Sequence, residues 1–222
     1  LTSDIVAPLK QDQRWVQFCG AVASSVRDRG YIVLRGLAAD EGKSLLIVSR
    51  ALAHTFGTYG AGRIVKRFRM SPWAGGLSHT LKAGDFHTDG NVSREPPAGT
   101  AIQCEIEDPG APEYAEQRVA YLPDILERLA SGSSDDTAAL DLLTKEEACL
   151  ASETSHGVWR GRLVRDGVIR YHPESLRLAA KRLSQETPQL ESAIAAIHRA
   201  SMDVSVPFHT SPGDTVLVSN RF

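Results

Sequence analysis

Helical periodicity comes first along the chain. In "PLKQDQRWVQFCGAVASSVRDRG", Val16, Cys19, Val22 and Val26 share one face of a 3.6-residue repeat, and Gly30 ends the run. "YIVLRGL" is short and β-rich, which predicts a buried strand. "DEGKSLLIVSRALAHTFG" returns to the helical period, opening near Asp40 and closing near Gly57. "RIVKRFRM" alternates instead, with Arg63, Val65, Arg67 and Arg69 on one face and Ile64, Lys66, Phe68 and Met70 on the other. A period of two predicts a strand. From Gly75 to Gly99 the pattern is loop and short strand. "AGTAIQCEIED" predicts another strand, and two helical stretches flank the polar loop "SGSSDD". "GVWRGRLVRDGVIRYHP" reads as a hairpin turning at Asp166-Gly167. "ESLRLAAKRLSQE" and "PQLESAIAAIHRAS" are helical, and "DVSVPFHTSPGDTVLVSN" closes with two strands around Pro212-Gly213.

Helices lead and strands then recur singly, without regular βαβ alternation. This suits a mainly antiparallel sandwich or barrel wrapped by helices. A chain of 222 residues is expected to form a single domain, residues 1–222. A net charge of -2 gives no field that would steer it to nucleic acid or an anionic membrane. No apolar run approaches the roughly 18 residues of a membrane span. Cys19, Cys104 and Cys149 are dispersed, so a reducing cytoplasmic setting is expected rather than a disulfide framework. Cys104 has alternating neighbours and reads as a strand residue, not a nucleophile. "GLAADEGKS" nearly spells a phosphate-binding loop, but five residues separate its glycines where the pattern needs four.

The chemistry gathers in "GDFHTDGNVSREPPAG". On an extended backbone residues i and i+2 face the same way, so His87 and Asp89 can reach one ion. Imidazole with carboxylate suits Fe(II), and two histidines with one carboxylate leave coordination positions open for reaction. A third ligand is then required. The tripeptide also occurs in ordinary surface turns.

Phe86 before the pair and "PPAG" after it resemble the taurine dioxygenase-like family of Fe(II)/2-oxoglutarate oxygenases. "RGYIVLRGL" and "SPGDTVLVSNRF" resemble that family's early strand and the segment before its distal histidine. The resemblance implies a mainly β fold with flanking helices, a double-stranded β-helix (a jelly roll of the clavaminate synthase-like kind). It implies Fe(II) held by His87, Asp89 and a distal histidine, with 2-oxoglutarate chelating the iron and an arginine holding its far carboxylate. O2 and 2-oxoglutarate would be consumed, succinate and CO2 released, and a small polar or anionic molecule hydroxylated. An aspartate at position 89 also separates the chain from related halogenases, which carry a small residue there.

The same resemblance puts the distal histidine near three positions beyond Phe222, with the arginine after it. The sequence is therefore expected to stop short of that C-terminal segment. His209 precedes the turn and lies on the wrong strand for the pattern, and Ser219 stands where the family has aspartate. By its count from His87, Tyr114 is the candidate 2-oxoglutarate contact. Arg67, His79 and Asn91 are candidate substrate contacts, and Trp159 and Tyr171 are core or pocket wall. The alternative is a non-catalytic metal- or ligand-binding protein of the same fold.

Overall fold

The computed structural model describes residues 8–9, 11–50, 53–58, 62–68, 84–113, 115–153 and 157–221. The chain packs as two compact units. The first comprises residues 1–55, 98–121 and 206–222; the second comprises 56–97 and 122–205.

In the first unit, helix α1 (Gln13–Arg29) starts where the Asp12 carboxylate accepts the Arg14 N–H at 2.8 Å, and it closes on Gly30. Its face centres on Val22, 1% exposed, while Val16 is 54% exposed, so the apolar stripe is narrower than its spacing predicts. Strand β1 (Tyr31–Leu34) and strand β2 (Gly99–Gln103) flank the C-terminal strand β9 (Thr215–Ser219), both antiparallel to it. Strand β9 is thus paired on both edges, and Thr215, Val216 and Leu217 are buried. A second pairing joins β3 (Gln117–Val119) to β8 (Val206–Phe208). The Tyr31 and Phe208 rings stack at 6.3 Å, linking β1 to β8. Helix α2 spans only Lys43–Ser49, shorter than the predicted run to Gly57. The Asp40 carboxylate receives the Ser44 N–H at 2.8 Å.

The β8–β9 turn is held by one buried carboxylate. Asp214 accepts the N–H groups of Ser211 and Gly36, each at 3.0 Å, and the Arg35 guanidinium. Gly213 has φ 93°, and a Cβ there would overlap the Leu37 carbonyl. Its N–H donates to the Cys104 carbonyl at 2.8 Å, which ties the turn to the end of β2.

The second unit is mainly helical. Helices α3 (Leu122–Ala130), α4 (Ser134–Thr144) and α6 (Pro188–Val204) bury Leu129, Leu143 and Ile197 against one another. Ser133 and Asp136 form a reciprocal capping box at the start of α4. Strand β4 (Ala148–Ala151) pairs with β5 (Val158–Gly161) beside helix α5 (Pro173–Leu183). Strands β6 (Val164–Arg165) and β7 (Val168–Ile169) form a hairpin on Asp166 and Gly167, both with positive φ. The turn is the predicted one. The hairpin is shorter than expected, because β5 takes its partner from β4.

One expectation is corrected and one is met in part. Arg63–Phe68 forms no strand despite its alternation. It is mostly exposed, and no described strand offers it a ladder, which alternation alone does not supply. The sheets are antiparallel, as expected, but the described residues form a mixed helix-and-strand structure with no closed barrel. Among the described residues, no helix is long and apolar enough to cross a membrane.

The Asp214 cluster sets an acid limit. Burial pushes its carboxyl up, but the bonds from Ser211, Arg35 and Gly36 outweigh this and hold it below the ordinary value. A depressed folded-state value contributes stability above about pH 4 that is lost as pH falls through it. Urea midpoints between pH 2 and 6 should decline toward acid, and Asp214→Asn should flatten that decline. Gly213→Ala should cost about 2–3 kcal/mol by urea titration, from its φ and the Leu37 overlap.

Candidate metal centre

The segment from Gly84 to Pro97 contains little regular structure, so its shape comes from bonds to other elements. Thr88 supplies the main one. Its N–H donates to the Tyr171 carbonyl at 2.7 Å, and the Tyr171 N–H donates back to Thr88 Oγ1 at 3.0 Å. Thr88 is thereby turned inward and half-buried, while His87 and Asp89 on either side point outward.

His87 Nδ1 lies 2.7 Å from the Asp85 carbonyl oxygen. A carbonyl can only accept, so Nδ1 is the donor in this bond and Nε2 is the ring nitrogen left to meet a metal. Nε2 faces Asp89 Oδ1 at 3.9 Å, and the two side chains are 40% and 50% exposed. This is beyond hydrogen-bond reach. Two metal–ligand bonds of about 2.1 Å at the right angle of an octahedral site set the donors about 3 Å apart, so a closure of about 1 Å by these two exposed side chains lets one ion touch both atoms. The donor set fits a borderline divalent metal: an imidazole whose far nitrogen is held by a backbone carbonyl, and a carboxylate.

The residues after Asp89 are also held. Gly90 has φ 64°, and a Cβ on it would meet Pro97 Cδ at 2.6 Å. That close approach is a physical reason for a glycine after Asp89. Asn91 is 6% exposed, and its amide donates to Ser175 Oγ at 3.2 Å. The Arg170 guanidinium donates to the carbonyls of Asn91, Ser93 and Arg94 at 3.1, 2.5 and 3.0 Å. Trp159 lies over that guanidinium at 4.9 Å.

His172 stands at the N-cap position of α5 without a side-chain capping bond, its ring 4.9 Å from that of His87. Burial, then the neighbouring His87, push it below the ordinary histidine value, so the ring is neutral near pH 7. Its buried Nδ1 has no hydrogen-bond partner among the described residues. His198 on α6 reaches Asp85 at 3.3 Å and stacks edge-on with Phe86. The Tyr171 phenol is buried, which pushes it above its ordinary value and out of acid–base chemistry.

The structure brings His87 and Asp89 together. Asn91 lies in the same segment with its side chain turned inward. Arg67 is exposed and outside any strand. His79 and Tyr114 fall outside the described residues. His209 belongs to the first unit, where its carbonyl receives Arg35 at 2.6 Å. Among the described residues, no three His, Cys, Asp or Glu side chains converge as a metal site. Cys104 sits just past β2, not within it, and burial pushes its thiol up, away from a nucleophilic thiolate. Sequence reasoning missed Thr88 as an anchor, Arg170 and His172. Only "RYHP" at the end of the hairpin marks the last two, and nothing in it gives their distance from His87.

No protein-family model matches the chain, and no curated protein matches it at the sequence level. Solved structures do. One is an asparagine oxygenase in complex with Fe(II), 2S,3S-3-hydroxyasparagine and succinate. It aligns at TM-score 0.71 and 17% identity over 95% of this chain and 76% of its own. The fold is shared with non-heme iron oxygenases. Another such structure is OrfP with Fe, succinate and (3S)-hydroxy-L-Arg, at TM-score 0.61 and 17% identity over 96% of this chain and 75% of its own. A third is PvcB from Pseudomonas aeruginosa, at TM-score 0.59 and 15% identity, covering 96% and 72%.

Gly90→Ala should cost about 2 kcal/mol, since both φ and the Pro97 contact oppose a Cβ. Thr88→Val leaves the Tyr171 N–H without its acceptor and should cost about 1–2 kcal/mol. Urea denaturation of each variant measures both.

Proposed function

We propose that this chain belongs to an Fe(II)- and 2-oxoglutarate-dependent dioxygenase that oxidises a small polar molecule, an amino acid or a close relative of one. One observation carries the reading. His87 Nε2, turned outward by the bond from Nδ1 to the Asp85 carbonyl, faces Asp89 Oδ1 at 3.9 Å. The shared fold supports it, as do the iron, 2-oxoglutarate or succinate, and hydroxylated amino acids bound in the asparagine oxygenase and OrfP structures.

In this reading His87 and Asp89 are two of three protein ligands, and the third comes from outside the described residues. Bound iron with 2-oxoglutarate supplies the oxidising power. The chain's own residues do the positioning. The Asp85 carbonyl keeps the imidazole proton on Nδ1, and the Thr88–Tyr171 pair holds both ligands outward. Tyr114 remains the proposed 2-oxoglutarate contact, and Arg67, His79 and Asn91 the proposed substrate contacts.

A second reading, a binding protein of the same fold without turnover, is favoured by one fact: only two ligands converge among the described residues. Anaerobic Fe(II) with 2-oxoglutarate should give the full-length protein a weak visible charge-transfer band, and His87→Ala or Asp89→Ala should abolish it. With an amino-acid panel, succinate should form at least 100-fold faster in wild type than in either variant. A band without succinate favours the binding protein. Absence of both rejects the metal site.

A further inference from the structure

Asp89 is flanked by two anchors that come from consecutive residues. On its N-terminal side Thr88 is bonded to Tyr171. On its C-terminal side the loop carbonyls of Asn91, Ser93 and Arg94 turn toward one cation, the guanidinium of Arg170. Only Asp89 and Gly90 lie between the anchors. Gly90, with φ 64° and no side chain, is held only within its own loop, by the Ser93 N–H on its carbonyl at 2.9 Å and the close approach of Pro97.

We propose that Arg170 is a positioning residue for the His87/Asp89 pair, a role that rests on reading those two side chains as metal ligands. The guanidinium is suited to this where an ammonium is not. Three carbonyls held at once need several N–H donors fixed in one plane, which arginine has and lysine lacks. Its own backbone is fixed too, because the Arg170 N–H donates to the Leu163 carbonyl at 2.8 Å. Trp159 covers its face. These three bonds go to carbonyls and none to a carboxylate, so the charge is spent on main-chain shape rather than on an ion pair. Burial lowers the proton affinity of the guanidinium, yet it stays charged at any working pH. Release of the loop frees Asp89 to rotate about Gly90, and the 3.9 Å approach to His87 is lost.

The test uses Co(II) as the probe, bound anaerobically to the full-length protein and read by its visible d–d spectrum and by competition titration. Arg170→Lys should weaken Co(II) binding about 10- to 100-fold, the range for outer-shell partners of a metal ligand. It should also change the shape of the d–d spectrum while the far-ultraviolet circular dichroism of the folded protein stays that of wild type. Methylguanidinium at tens of millimolar should restore affinity to Arg170→Ala and not to wild type or Asp89→Ala. Should neither Arg170 variant fold, Trp159→Leu, which uncovers the guanidinium, should weaken Co(II) binding at least threefold. Wild-type affinity and spectrum in the folded variants overturn the proposal. A wild-type protein that does not bind Co(II) overturns the ligand reading itself, which is a separate result.

Discussion

A pair of ligands one residue apart can share an ion only when the residue between them is held. In this chain that residue is Thr88, and its exchange of hydrogen bonds with Tyr171 is the constraint on which the candidate centre depends. The bonds turn Thr88 inward, so its neighbours must turn outward. They also make the Gly84–Pro97 segment an added edge on the chain leaving β7, although neither side is long enough to count as a strand there. Arg170, Tyr171 and His172 thus address the loop in succession, at its carbonyls, its main chain and the ring of His87.

The order in the two units has different sources. In the first, β9 is paired on both edges and buried, so β1, β2 and the Gly213 turn are fixed by ladder bonds and by Asp214. In the second, apolar packing among α3, α4 and α6 makes the core, and short hairpins carry the site-facing residues. The candidate ligands are half-exposed, on a loop braced by polar bonds rather than by burial. Function on a braced loop over a rigid frame is a common arrangement, since ligands need access that a packed core denies.

Much of the element order could be read from periodicity. The first helix, the strand after it, the Asp166-Gly167 turn and the two helices after it follow from period, capping and turn chemistry, all local properties. Two runs misled. Arg63–Phe68, the described part of "RIVKRFRM", alternates without forming a strand (Arg69 and Met70 lie outside the described residues), and the described helix of the run from Asp40 to Gly57 is Lys43–Ser49. In both, local preference was present and a suitable partner surface was not visible in the sequence. Closure of a barrel has no local signature either, since it depends on which strands meet; among the described residues the sheets stay open.

By itself the sequence determined the donor chemistry. His87 and Asp89 stand two apart, so any extended backbone puts them on one face, and a glycine and two prolines follow. Tertiary structure decided the rest. It chose the His87 tautomer through Asp85, brought Pro97 onto Gly90, turned Asn91 into the interior, and set Arg170 against a loop about eighty positions earlier. The last two have no local signal, because Asn91–Ser175 and Arg170–loop are contacts between segments distant in sequence, whereas Asp85 and Pro97 lie within seven residues of the positions they touch. Their meeting is set by the packing of whole elements, not by the preferences of the residues that touch.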